Sequence, residues 1–122
     1  MSKCSIIIPH FNGENILYRC LNSIYNHTKE KHKVIVVDNA SSDNSISMVK
    51  QKFPKTKIIS NKRNLGYAGA CNIGAEKSDT NFLVFLNNDT EVSKNWLEPL
   101  LESLKDKNVS SVQPKIKNML DK

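Results

Sequence analysis

Two short polar runs hold the residue types best suited to chemistry. Asn87-Asn88-Asp89-Thr90 follows the apolar stretch Phe82 to Leu86, and Asp38-Asn39 follows Val34 to Val37. A carboxylate flanked by amides offers hard oxygen donors, which suit magnesium, manganese or the hydroxyls and N–H groups of a bound ligand. An acid directly after an apolar strand also has a preferred location. In open α/β sheets ligands collect beyond the carboxyl ends of the strands, so Asp38 and Asp89 are expected on one rim.

The elements that must carry these acids are legible from periodicity. Cys4 to Pro9 is a short apolar strand, which the proline is expected to stop, leaving His10 to Gly13 as a loop. From Glu14, Ile16, Leu17, Cys20, Leu21, Ile24 and Tyr25 recur at the three- and four-residue spacing of an amphipathic helix. Val34 to Asp38 is the second strand. Ser42 or Asp43 then caps a helix carrying Ile46, Met48, Val49 and Phe53, which Pro54 ends. Lys57 to Ser60 is a third strand, and Gly66 to Lys77 a helix rich in small residues. The apolar run at Phe82 to Leu86 reads as a fourth strand covered on both faces. Trp96, Leu97, Leu100, Leu101 and Leu104 mark a last helix capped by Ser93, and Val109 to Val112 a fifth strand. Strands alternating with helices imply right-handed crossovers and an α/β fold with a mainly parallel, doubly wound sheet.

Composition narrows the function classes. A chain of 122 residues with 39% hydrophobic content is a single domain, 1–122, with one core. No apolar run approaches the ~20 residues of a membrane span, and the amino terminus has no signal-peptide pattern, so a cytoplasmic location is expected. Cys4, Cys20 and Cys71 are odd in number and form no CxxC pair, which argues for buried thiols over a disulfide or zinc framework. The net charge of +6 invites a polyanion partner, but the lysines sit in turns between apolar elements. With no arginine-rich helix or aromatic-interleaved basic stripe, nucleic acid is not expected as a partner, and peripheral contact with an anionic membrane fits better. The loop after the first strand, Pro9-His10-Phe11-Asn12-Gly13, is not GxGxxG, so the dinucleotide-binding fingerprint is absent. There is no Walker A lysine motif, and no acidic pair of a phosphoacceptor domain.

Four segments in order, Ile8-Pro9-His10-Phe11-Asn12, Val36-Val37-Asp38-Asn39-Ala40-Ser41-Ser42-Asp43, Asn64-Leu65-Gly66-Tyr67-Ala68-Gly69-Ala70-Cys71-Asn72 and Leu86-Asn87-Asn88-Asp89-Thr90, resemble the N-terminal part of a family 2 glycosyltransferase with the GT-A fold. The resemblance runs from about Ser5 to Gln113. It implies inverting, metal-assisted transfer of a sugar from a UDP- or dTDP-sugar to a saccharide or lipid-linked acceptor, at the inner face of the membrane in cell-envelope glycan synthesis. It assigns Asp38 to the imide of the base, Pro9 and Phe11 to the base and ribose pocket, and Asp43 to its vicinity. The helix-cap role for Asp43 stays equally open.

On the same resemblance Asn64 and Gly66 belong to a diphosphate loop, where bare N–H groups at a helix start favour anionic oxygen. Asn88 joins them as a donor-site residue. Asp89 closes the family's Asp-x-Asp motif, written here Asn87-Asn88-Asp89, and would hold a manganese or magnesium ion with the substrate phosphates. Gly66 and Asp89 can also be read as ordinary turn residues. The resemblance places the general base in a segment beyond the fifth strand, so none is assigned, and His10 is read as pocket lining and Glu91 as a solvent-facing loop residue. The chain then carries the donor-binding half of the reaction. A module that binds nucleotide without catalysis, or regulates a partner, is the alternative, and an uncovered sheet edge would leave self-association open.

Overall fold

The computed structural model describes residues 4–106. Four strands and four helices alternate: β1 Cys4–His10, α1 Glu14–His27, β2 His32–Asp38, α2 Ser45–Lys52, β3 Lys57–Ser60, α3 Gly66–Glu76, β4 Phe82–Phe85 and α4 Leu97–Leu104. The sheet is wholly parallel in the order β3-β2-β1-β4. The chain winds outward from β1 through β2 to β3, then returns to the other side of β1 as β4. That reversal opens a crevice between β1 and β4 at their carboxyl ends, the switch point where doubly wound sheets hold ligands. The expected fifth strand, Val109 to Val112, lies outside the described residues.

Alternation along the strands divides the core in two. Ile6 and Ile8 of β1 with Val34 and Val36 of β2 pack against Leu17, Cys20, Leu21 and Ile24 of α1, Met48 and Val49 of α2, and Leu97 and Leu101 of α4. Ile7, Ile35 and Val37 point to the opposite face, where Ala70 of α3 meets them. Burying each such aliphatic side chain contributes about 1.5–3 kcal/mol. Gly74 is what brings α3 so close: a Cβ there would stand 2.5 Å from Cγ2 of Ile7. The three cysteines are free and buried, as their spacing implies.

The structure corrects several expectations. Pro9 does not stop β1, which runs on to His10 with Pro9 opposite Val37. The reason is directional. Ile7 accepts from Leu86 N–H at 2.9 Å on the β4 side, and His10 accepts from Asn39 N–H at 2.8 Å on the β2 side. Alternation turns the nitrogen of Pro9 toward β4, whose pairing with β1 ends at Ile7 opposite Phe85, so the missing donor has no acceptor to disappoint.

β4 is likewise not covered on both faces by the described residues. Phe82 and Val84 pack inward, but Leu83 and Phe85 on the other face are 39% and 45% exposed. An apolar run cannot by itself tell an edge strand from a central one. Ser93 does not cap α4, because a turn with Asn95 at φ 58° intervenes and the helix starts after Trp96. Before α2, the capping position falls to Asn44, although Asp43 takes up the N–H of Ser45.

Candidate functional site

The crevice rim is built from the ends of three strands held in step. His10 pairs with Asp38 and Asp38 with Ser60, so β1, β2 and β3 finish level. Asp38 is 3% exposed. Its carboxylate accepts from Ser41 twice, from the hydroxyl at 2.5 Å and the backbone N–H at 3.1 Å. Ser41 Oγ in turn accepts from Asn12 N–H at 2.8 Å. Asn12, with φ 50°, returns the connection by accepting from Ser42 N–H at 2.9 Å. The loops after β1 and β2 are thereby locked together, with Pro9 buried beneath them and Phe11 49% exposed above.

Asp43 completes this lock. Its Oδ2 accepts from Gly13 N–H at 2.8 Å, and its Oδ1 from the N–H and hydroxyl of Ser45. Desolvation pushes its carboxyl up. The bonds from Ser45 and Gly13 and the nearby His10 outweigh that and hold it below the ordinary value of 3.8. Asp43 therefore does capping work and borders the site as well, so its two readings are not exclusive.

His10 is only 1% exposed and lies at the centre. Its Nε2 is 2.9 Å from Ser45 Oγ, and its Nδ1 is 3.0 Å from Nδ2 of Asn88 across the crevice. Burial lowers its pKa, and the charges of Asp38 and Asp43 oppose that shift. It is neither a loop residue nor free pocket lining.

The third wall comes from β3 and α3. Asn39, 4% exposed, donates to Gly66 O at 3.1 Å and accepts from Asn61 Nδ2 at 2.9 Å and Leu65 N–H at 3.3 Å. One carboxamide thus ties the end of β2 to the loop that starts α3. Gly66 occupies the left-handed region at φ 77°, and nothing lies within 4 Å of where its Cβ would be. Its N–H is not bare as expected, since Asn64 Oδ1 accepts from it at 2.8 Å. An anionic ligand must look to the next N–H groups of the exposed first turn, which a helix leaves without intrahelical partners.

Asp89 sits exposed in a turn closed by Thr90 N–H donating to Asn87 O at 3.1 Å. The turn rests on α1. Cys20 Sγ approaches Asn87 O at 3.8 Å, Ser23 Oγ accepts from Val92 N–H at 3.0 Å, and His27 Nδ1 is 2.9 Å from Val92 O. Desolvation, with the charges of Asp89 and Glu91, pushes the Cys20 thiol up to about 12. No cluster of three or more His, Cys, Asp or Glu side chains able to hold a metal exists among the described residues. The donor set still fits a hard cation that takes one carboxylate and completes its shell with phosphate and water oxygens. Glu91 is solvent-exposed, as read from the sequence.

Asp38, Asp43, Pro9, Phe11 and Asn88 are thus gathered at one crevice mouth, with Asn64 and Gly66 reached through Asn39 and with Asp89 on the turn beside Asn88. Sequence reasoning gave no role to Asn12, Ser41 and Ser45, and it read Asn39 as a site amide beside Asp38 and not as the tie between loops that it is. Their signal is positional only, as polar residues just past strand ends. A cavity of about 530 Å³ lies at the opposite, amino ends of β2 and β3, lined by Tyr25, His32, Lys33, Lys55 and Lys57. It touches none of the rim residues.

Comparison with known proteins covers nearly the whole chain. A family model described as Glycosyl transferase family 2 matches residues 5–120. Glycosyltransferase AglE of Haloferax volcanii is 33% identical over 99 residues, covering 77% of this chain and 33% of that protein. Poly(ribitol-phosphate) beta-glucosyltransferase of Bacillus spizizenii is 32% identical over 101 residues, covering 78% and 16%. Among solved structures, mannosyltransferase PcManGT of Pyrobaculum calidifontis, in complex with GDP-Man and Mn2+, superposes with TM-score 0.81 at 23% identity, covering 88% and 33%. S. aureus TarS 1-349 gives 0.77 at 23%, covering 87% and 33%. The chain thus spans a third or less of the length of each of these proteins, and the solved structures share its fold.

Proposed function

The chain belongs to glycosyl transferase family 2, with the GT-A fold, and from that premise we propose that its crevice binds the nucleotide-sugar donor of a sugar transfer. The observation that carries the reading is the convergence, at the β1/β4 switch point, of the buried Asp38 carboxylate with the Asn88-Asp89 turn through His10. An ionised carboxylate only accepts hydrogen bonds, and Asp38 keeps lone pairs beyond the two used by Ser41, which suits an imide N–H of uracil or thymine. Pro9 and Phe11 flank the base and ribose. The loop Asn64 to Gly66 and the start of α3 face the diphosphate.

Asp89 would hold a divalent cation, manganese or magnesium, together with the donor phosphates. When bound, the cation supplies charge stabilisation for the departing nucleoside diphosphate. The chain's own residues orient and bury: Asp38 fixes the base, and the network through Asn12 and Ser41 holds that carboxylate in place before ligand arrives. Inverting transfer to a saccharide or lipid-linked hydroxyl needs a base within reach of the acceptor. His10 does not serve, since both of its nitrogens are already engaged. No helix of the described residues is long and apolar enough to cross a membrane.

Titration calorimetry with UDP, dTDP and GDP, each with and without manganese, tests the reading. The GDP arm is included because a structural relative holds GDP-Man. Metal-dependent binding of a pyrimidine nucleotide is expected. No binding of any of the three, with or without metal, would sink the donor-site reading.

A further inference from the structure

The hydrogen-bond chain Asp43, Ser45, His10, Asn88 runs from the loop after β2 to the turn after β4, and its donor and acceptor roles can be worked out from one end. Asp43, held ionised, can only accept. The hydroxyl proton of Ser45 therefore goes to Asp43 Oδ1. Ser45 Oγ is then left to accept, and the partner 2.9 Å away, Nε2 of His10, must carry a proton. In a neutral imidazole the other nitrogen is an acceptor. Nδ1 of His10 consequently accepts from the side chain of Asn88, whose only donor atom is Nδ2, 3.0 Å distant. Ser45 and His10 are both essentially inaccessible to water, so no solvent molecule can relax these assignments.

Resting on the donor-site reading, we propose that His10 is a positioning residue: as the neutral Nε2–H tautomer it holds the amide nitrogen of Asn88 and so presents the carboxamide oxygen to the crevice as an acceptor for a hydroxyl of the nucleotide sugar. The carboxamide has two ends of opposite character, and nothing in Asn88 itself chooses between them. The choice is made at Asp43, in the loop after β2, a strand that is not adjacent to β4 in the sheet. The two sides of the crevice are thereby set to one polarity, with Asp43 acting through Ser45 and His10.

Long-range proton–nitrogen correlation spectra of the histidine side chains test this without any nucleotide. His10 at pH 7 is expected to show a protonated Nε2 and an unprotonated Nδ1, and a protonated Nδ1 would overturn the proposal. In Asn88→Asp the carboxylate cannot donate to Nδ1, so that nitrogen is expected to become protonated; unchanged His10 signals would also overturn it. Calorimetry with UDP and manganese supplies the functional arm. His10→Gln keeps a donor toward Ser45 but lacks the acceptor toward Asn88, and is expected to weaken binding about 2- to 10-fold. His10→Asn, whose oxygen lies near the Nδ1 position, is expected to recover part of that loss, and full wild-type affinity in His10→Gln would count against the proposal. Absence of nucleotide binding by the wild type would instead refute the donor-site reading, whatever the tautomer.

Discussion

The carboxyl ends of β1 and β2 border the same crevice as the end of β4, yet the two sides are built to opposite standards. On the first side Asp38 is buried and held by Ser41, and Asn12, Ser41 and Asp43 bind the loops to one another by four hydrogen bonds between side chain and backbone. On the other, Asp89 is exposed on the turn after β4, an edge strand among the described residues, joined to the first side by the His10–Asn88 contact. A neutral ring with fixed donors and acceptors is best met by a rigid, prebuilt wall, which avoids ordering costs on binding. A cation that brings its own phosphates and water needs the reverse, a carboxylate still open to new partners. On the proposed donor-site reading, order on one side and openness on the other match what each would bind.

Substitutions can break that contrast. The largest effect is expected at Asp89→Ala, which should remove the manganese-dependent part of UDP binding, at least about 100-fold, beyond the ~10- to 100-fold cost of losing a merely supporting group. Its thermal midpoint should barely move, since an exposed turn side chain contributes within ~0.5 kcal/mol. Loss of the fold instead would mean that the open side is structural. Asp38→Asn should follow, with UDP affinity reduced about 10- to 100-fold in calorimetry through loss of a charge-assisted bond. Equal affinity for UDP would show that Asp38 serves the loop and not the base.

Asp43 gives a smaller, pH-dependent effect. Its folded carboxyl titrates below 3.8, so its contribution is fully present above that value and is lost as pH falls through the depressed one. The stability difference between wild type and Asp43→Asn, from urea melts, should be level from neutral pH to about 4 and shrink below it. Because Asp43 is exposed, solvent screening keeps the pH-dependent part well under ~1 kcal/mol. The least effect is expected at Leu83→Thr on the uncovered face of β4, within ~0.5 kcal/mol in the same melts. A loss of several kcal/mol would reveal that this face is buried after all.

The elements were readable in the sequence because their signals are local. The spacing of Leu17, Cys20, Leu21 and Ile24 identifies α1, and the β-branched runs identify β1 and β2. The placement of Asp38 and Asp89 at or past strand ends was readable for the same reason, Asp38 lying directly beyond an apolar run and Asp89 after two further amides. What stayed hidden depends on contacts between distant positions. His10 gains its role from Ser45 and from Asn88, 78 positions away. Asn39 looks like a second site amide but spends its hydrogen bonds on Asn61, Leu65 and Gly66. The burial of β4 failed for a related reason, because hydrophobicity reports a strand's preference and not its neighbours.

Pro9 has one more consequence. Parallel strands tend to zip further wherever a donor meets a carbonyl, and a crevice between two of them closes if pairing advances by a residue or two. The ring at position 9 deletes the next rung on the β4 side, immediately past Ile7 and Phe85. Whatever sequence follows β4, β1 offers no N–H there with which to draw it in. The parting of the two strands is thus secured by covalent chemistry, as a seam is by a knot, and the mouth of the crevice stays open at no cost in attraction elsewhere.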